Sequence, residues 1–199
     1  MLHPTQCRSS VEKQSTPDRF EYSMRLFRAR MPDGTVVIVK FTPTYNVAAH
    51  QLLEAEGLAP KLFYHTRIAG GWLMVVMEYL DKAQNAYTYL CNSRTLSLPQ
   101  SVYLDIQKAL EKLHEKKIVF GDLRVQNILV QEDGGCMNQI RTYLVDFDWC
   151  GVEGEARYPI LMSQLQVYQD AGMLAYGKMS MEHDRELLKV LKELCDPAD

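Results

Sequence analysis

Apolar positions in the first eighty residues recur with the spacing and β-branching of strands, and beyond them mostly with the spacing of helices. Tyr22–Arg30 and Thr35–Phe41 flank Met31-Pro32-Asp33-Gly34, a turn signal that predicts a hairpin. The run Val36-Val37-Ile38-Val39 predicts a strand that ends in Lys40. Asn46 to Glu56 reads as a short helix: Asn46 can cap it, Val47, Ala49, Leu52 and Leu53 give the apolar spacing, and Gly57 with Pro60 stops it. Lys61–Thr66 and Trp72–Tyr79 read as two further strands joined by Ala69-Gly70-Gly71, completing a small sheet near Leu80.

The helical part opens at Ser97 and Pro99, after which Val102, Ile106, Leu110 and Leu113 fall on one stripe. Lys116 and Lys117 sit where a helix C-terminus favours cations. Strands are expected at Ile128–Val130 and Thr142–Val145, with a loose hairpin around Asp133-Gly134-Gly135 between them. Residues 150–180 read as irregular, and Asp184–Leu194 as a closing amphipathic helix with Leu187, Leu191 and Leu194 on one face. Residues 1–20 are polar and read as a flexible arm or an incomplete first strand.

Composition narrows the setting. A chain of 199 residues holds one compact domain, or two small lobes sharing a cleft. A net charge of −3 weighs against nucleic acid as the main partner, with Arg25, Arg28 and Arg30 the local exception. The five cysteines are scattered and form no C-x-x-C pair, which argues against zinc or a disulfide framework and for reduced thiols in a cytoplasmic or nuclear protein. The first residues lack the apolar core of a signal peptide, and the longest apolar run, Trp72 to Met77, is too short to span a bilayer, so no membrane partner is expected.

The chemistry concentrates at two strand ends. Asp122 and Asn127 stand five positions apart in Phe120-Gly121-Asp122-Leu123-Arg124-Val125-Gln126-Asn127 and run into an apolar β-branched strand. Asp146 ends a second apolar run in Tyr143-Leu144-Val145-Asp146-Phe147-Asp148. One end thus offers a proton acceptor and an amide ligand, and the other a carboxylate for a metal, the division that phosphoryl transfer from a nucleotide requires.

The order of these parts resembles the protein-kinase-like superfamily from about residue 20 to the end: a strand-end lysine, a helix, a strand ending Met77-Glu78-Tyr79-Leu80, a long helix, Gly-Asp-Leu-Arg-x-x-Asn and Val-Asp-Phe-Asp. Gly121-Asp122, in place of the usual Arg-Asp, looks like RIO kinases and aminoglycoside phosphotransferases. Residues 145–151 and 153–159 are similar to compact kinase-like proteins common in fungi. The resemblance implies a two-lobed α+β fold, with an N-terminal arm over 1–20, a small β-rich N-lobe with one helix over 21–80, and a reduced, mainly helical C-lobe over 81–199.

It also implies roles. Asp122 would accept the proton of an attacking hydroxyl, and Arg124, where the family usually has lysine, would contact phosphate oxygens. Asn127 and Asp146 would ligate Mg²⁺. Lys40 would reach the α- and β-phosphates of ATP, held by an acid on the helix, for which spacing favours Glu54 over Glu56. The backbone of Glu78 and Leu80 would pair with the adenine edge, with Met77 at the back of the pocket. Phe147 is expected to pack rather than to take part in chemistry.

Departures from the family's pattern keep two functions open. Residues 1–33 contain no glycine, so no glycine-rich loop precedes Lys40. Phe120 replaces the usual histidine, Asp148 replaces a glycine, and only 53 residues (199 − 146) follow Asp146. One expectation is a phosphotransferase that moves the γ-phosphoryl of MgATP to a hydroxyl of a protein Ser/Thr or a small molecule. The alternative is a weak or inactive pseudokinase acting as a binding module. Fold alone does not choose the acceptor.

Overall fold

The computed structural model describes residues 26–93, 95–132, 140–160, 162 and 165–195. The expected arm over 1–20 and the turn around Asp133-Gly134-Gly135 lie outside the described residues.

The first strands are β1 (Leu26–Arg30) and β2 (Val36–Thr42), joined by the expected turn. Gly34 closes it at φ 91°, donating to the Met31 carbonyl at 2.9 Å, and Asp33 accepts from the Thr35 N–H at 2.9 Å. Helix α1 (Val47–Ala55) follows, capped by Asn46, whose side chain accepts from the Ala49 N–H at 3.0 Å. It stops at Gly57, which takes φ 72°, and the Leu58 N–H returns to the Leu53 carbonyl at 2.8 Å. Strands β3 (Leu62–Arg67) and β4 (Leu73–Glu78) then complete an antiparallel sheet of order β1-β2-β4-β3. β4 alternates buried with half-buried side chains, and Leu73, Val75 and Met77 form the core of this lobe.

Beyond β4 come a two-residue strand β5 (Gln84–Asn85) and helix α2 (Ala86–Asn92). α2 goes unanticipated because it buries only Ala86 and so carries little apolar period; the Asn85 side chain, accepting from the Thr88 N–H at 2.8 Å, starts it. Helix α3 (Gln100–Glu115) buries Val102, Ile106, Ala109, Leu110 and Leu113, the predicted stripe. Full burial of each of the larger of these side chains contributes about 1.5–3 kcal/mol. Strand β6 (Ile118–Val119) leads into the loop of Asp122, then β7 (Ile128–Glu132) pairs antiparallel with β8 (Ile140–Leu144).

The stretch expected to be irregular holds two short elements, β9 (Gly151–Val152), paired with β6, and α4 (Gln166–Asp170). The closing helix α5 runs Met181–Glu193 and starts three residues earlier than its apolar period suggests, because Ser180 caps it by accepting from the Glu182 N–H at 3.3 Å. Both lobes meet in one large core. Ala49 and Leu53 of α1 pack in the same cluster as α3, α5 and the strands beneath the loop, so the helix of the small lobe is seated on the large one.

Helix α5 also fixes the loop. The carboxylate of Asp184, fully buried, accepts from the N–H groups of Phe120 at 2.8 Å and Gly121 at 2.9 Å, and from His114 Nε2 at 3.0 Å. Replacing it with alanine strands two buried N–H groups, at a cost of roughly 3–5 kcal/mol. We therefore expect Asp184→Ala to lower the melting temperature by about 10 °C in a circular-dichroism melt. A loss under about 2 °C would remove Asp184 from that role.

Candidate active site

The site grows out of one backbone constraint. Gly121 takes φ 80°, and a Cβ there would press on the Met179 side-chain end and lie 3.3 Å from the Tyr158 ring. The left-handed backbone at this position favours glycine over any residue with a Cβ. The turn sends the Asp122 side chain toward Asn127. The Asn127 amide nitrogen donates to the Asp122 carbonyl at 2.9 Å and to its Oδ2 at 2.9 Å, which leaves the amide oxygen for another partner. The Val145 N–H donates to the Asn127 carbonyl at 2.9 Å, and the register Ile128↔Leu144 continues from there. Hairpin pairing thus carries Asp146 to the side of Asn127, as the two strand ends imply.

Asp122 is 4% exposed and crowded with donors. Tyr168 of α4 donates its hydroxyl to Oδ1 at 2.5 Å, and Arg124 approaches Oδ2 at 3.1 Å. Burial raises the carboxyl from its ordinary 3.8 to about 6; Arg124, Tyr168 and Asn127 oppose the rise, and the Asp146 charge adds to it. The group is therefore a carboxylate at neutral pH with the affinity for protons that a general base needs. The raised value means that the folded chain holds a proton which the unfolded chain has released. Between pH 3.8 and about 6 the contribution of Asp122 to stability falls as pH rises, and the cost, on the order of 3 kcal/mol, is fully present above that window. Arg124 keeps a buried Nε that has no acceptor among the described residues, a donor suited to a phosphate oxygen.

Lys40 closes the site from the small lobe. Its amine, on a side chain 12% exposed, lies 2.6 Å from Asp146 Oδ1 and 2.6 Å from Asp148 Oδ1. This corrects the expected pairing with Glu54. Glu54 Oε2 accepts from the Leu62 N–H at 3.1 Å and ties α1 to β3, while Glu56 pairs with Lys108 at 3.0 Å. The position on α1 that points inward is instead His50. Its Nε2 meets the Pro60 carbonyl at 2.7 Å and must carry the hydrogen, so Nδ1 accepts from the Tyr45 hydroxyl at 2.7 Å. Burial pushes the His50 pKa down, keeping the ring neutral, and it stacks on Phe147 at 4.8 Å. Phe147 meets Phe120 edge-on at 5.8 Å, so the aromatic side chains of both motifs are packing, as expected for Phe147.

Asp146 itself takes φ 72°, a left-handed conformation that costs energy for a residue with a Cβ. Among the described residues no group of three or more His, Cys, Asp and Glu side chains is arranged to cage a metal. The available donors, the Asp146 carboxylate and the Asn127 amide oxygen, fit Mg²⁺, which is held by one or two carboxylates with substrate phosphates and water supplying the rest.

Met77, Glu78 and Leu80 lie at the exit of β4 on the way between lobes. Met77 is buried in the small core, packed with Ile38 and Leu62. Glu78 pairs back to Lys61 through its N–H at 2.8 Å and its carboxylate at 3.2 Å, and the Leu80 carbonyl accepts from Ala83 at 3.3 Å. A concavity of about 600 Å³ is lined by Glu54, Glu78, Lys108 and Thr142 among others, and by none of Lys40, Asp122, Asn127 or Asp146. Donor chemistry, not concavity size, marks the site.

Three of its residues escape a reading of the chain. Asp148 was visible as a second acid beside Asp146 but not as the partner of Lys40. Asp184 looks like an acid favoured at a helix start. Tyr168 carries no local signal at all.

A sheet lobe lending a lysine to an aspartate loop and a metal-type aspartate in a helical lobe defines a protein of the protein-kinase-like superfamily. The chain belongs to the lipopolysaccharide kinase (Kdo/WaaP) family, whose model matches residues 49–158, more than half of it. Among curated proteins it is 29% identical over 118 residues to a Caenorhabditis elegans chain named as ribosomal protein S6 kinase alpha-2, covering 57% of this chain and 14% of that one. It is 32% identical over 71 residues to the 3-deoxy-D-manno-octulosonic acid kinase of Haemophilus influenzae (strain 86-028NP), covering 36% of this chain and 28% of that one. The match thus spans less than a third of each relative. A solved kinase of the Cydia pomonella granulovirus shares the fold with a TM-score of 0.58 at 17% identity, over 80% of this chain and 59% of the viral one.

Tyr168 supplies a measurable test of the electrostatics. Its hydroxyl stabilises the Asp122 carboxylate, so Tyr168→Phe should raise the Asp122 pKa further. Carbon-13 NMR of the Asp122 carboxyl should titrate near pH 6 in the native chain and higher in the variant. An unchanged midpoint would show that the hydrogen bond is not made in solution.

Proposed function

We propose that this chain is an ATP-dependent phosphotransferase that moves the γ-phosphoryl group of MgATP to a hydroxyl. The observation that carries the reading is the convergence of Asp122, Asn127, Asp146 and Lys40 on one site, from three separate segments of the chain. Asp122 takes the proton of the acceptor hydroxyl as that oxygen attacks. Arg124 and Lys40 bring positive charge to the phosphates, Arg124 through its unpaired Nε. Asn127 and Asp146 hold the divalent ion, which supplies charge neutralisation across the phosphates when bound. Glu78 and Leu80 offer backbone groups for the adenine edge.

The acceptor is read from chemistry and kinship together. A sugar-acid hydroxyl is the first class to test, since the relatives in Haemophilus are kinases named for such a sugar. A protein Ser/Thr is the second, in line with the S6-kinase-like relative. The Gly121-Asp122 form fits a small-molecule acceptor too, through its likeness to aminoglycoside phosphotransferases, with RIO kinases and the compact fungal proteins sharing parts of the pattern. The net charge of −3 disfavours nucleic acid as partner, no helix among the described residues is long and apolar enough to cross a membrane, and scattered cysteines without a C-x-x-C pair suit a cytoplasmic setting.

One observation favours a second reading, a binding module with little turnover: the Tyr168 hydroxyl already occupies Asp122 Oδ1, and no glycine precedes Lys40 before residue 34. Two measurements separate the readings. Millimolar MgATP should raise the melting temperature by about 5 °C, and ATP without Mg²⁺ should raise it less. Radiolabelled γ-phosphate should pass to one member of a panel of a generic protein, small alcohols, sugar acids and the chain itself. Asp146→Ala should abolish Mg²⁺-dependent transfer, a loss of at least about a thousandfold. Full activity in that variant would end the metal assignment, and binding without transfer would favour the module.

A further inference from the structure

An amine that serves nucleotide phosphates must stay in place when the metal arrives. Lys40 has two acids, and the proposed function gives them different duties. Asp146 is the carboxylate for the divalent ion and does not remain the lysine's sole counter-charge. Asp148 carries no such duty, and its orientation is fixed independently. Its Oδ2 shares the Thr42 hydroxyl, 2.8 Å away, with the Thr44 carbonyl, and its own carbonyl oxygen accepts from Thr44 Oγ1 at 3.0 Å. The segments around it are joined as well, since Asn46 donates through its backbone to the Phe147 carbonyl at 3.0 Å and through its side chain to the Cys150 carbonyl at 3.3 Å. Helix α1 offers no substitute, because Glu54 is spent on Leu62 and Glu56 on Lys108.

We propose that Asp148 is the positioning residue for Lys40, its partner both before and after Asp146 turns to a metal. The lysine–acid pair then runs from β2 to the loop after β8, and not from β2 to helix α1. Any change in the 146–150 loop, including one passed on from α1 through Asn46 or His50, would move lysine and metal ligand together. The use of the pair rests on the phosphotransferase reading; its existence does not.

The test reads both. Lys40 acylation by an amine reagent is followed by peptide mass spectrometry in nucleotide-free protein, with exposed Lys108 and Lys189 as internal standards, and MgATP affinity is measured on the same samples. Asp148→Asn should label Lys40 several-fold faster and weaken MgATP by about tenfold. Asp148→Glu should recover much of the protection. Glu54→Gln should leave Lys40 labelling as in the native chain. Should Asp148→Asn fold poorly, Thr42→Val, which removes only the orienting hydroxyl, should give an intermediate labelling rate. Native-like labelling in Asp148→Asn or in Thr42→Val, or faster labelling in Glu54→Gln, would overturn the proposal. Deprotection of Lys40 in Asp148→Asn with no MgATP binding in the native chain would uphold the pair and sink the phosphotransferase reading alone.

Discussion

Lys40 sits in a half-closed cleft between two carboxylates that lie 106 and 108 residues further along the chain. An ammonium group this poorly hydrated is stable only with its counter-charges in place, and two acids this close together are stable only with a cation between them. Burial and the neighbouring Asp146 charge both push the Asp148 pKa up, with Lys40 and Thr42 opposing. Neither lobe satisfies its own charges here, so the strand of one and the metal loop of the other must come together. The burial of Ala49 and Leu53 of α1 in the large core and the stacking of His50 on Phe147 hold the same junction.

The same economy governs the proposed base. Asp122 is buried enough to raise its pKa, yet it keeps three donors that hold it ionised at neutral pH. The donors come from two places: Arg124 and Asn127 from its own loop, Tyr168 from α4. The loop that carries it is fastened from below by Asp184 and turned by Gly121. A phosphotransferase needs its proton acceptor, its metal ligands and its phosphate-binding cations held in one geometry before the nucleotide arrives. Under the proposed function, buried charge supplies that rigidity.

Membership of the Kdo/WaaP family and the kinase-like fold of a viral enzyme agree with the site in kind. They do not reach its particulars. The curated relatives align with this chain over part of its length, and the pairing of Lys40 with an acid beside Asp146 is read from the geometry of this chain alone.

Most of what is local was legible in the residues. The hairpin at Gly34, the cap at Asn46, the stripe of α3 and the Asp122/Asn127/Asp146 spacing depend on neighbours a few positions apart, and local propensity and period encode them. The acid partner of Lys40 was misplaced on α1 because helix spacing says nothing of how the helix rotates as it packs: burial of Ala49, His50 and Leu53 turned Glu54 toward β3. Tyr168 and Asp184 could not be seen, since each acts across 46 or more residues on a group whose position is set by the core. The order of residues alone determined which atoms are available for phosphoryl chemistry. Which of them share a charge, a hydrogen bond or a proton was decided only when packing brought distant segments within a few ångströms, because electrostatic coupling depends on distance and burial, and neither is a property of a chain before it folds.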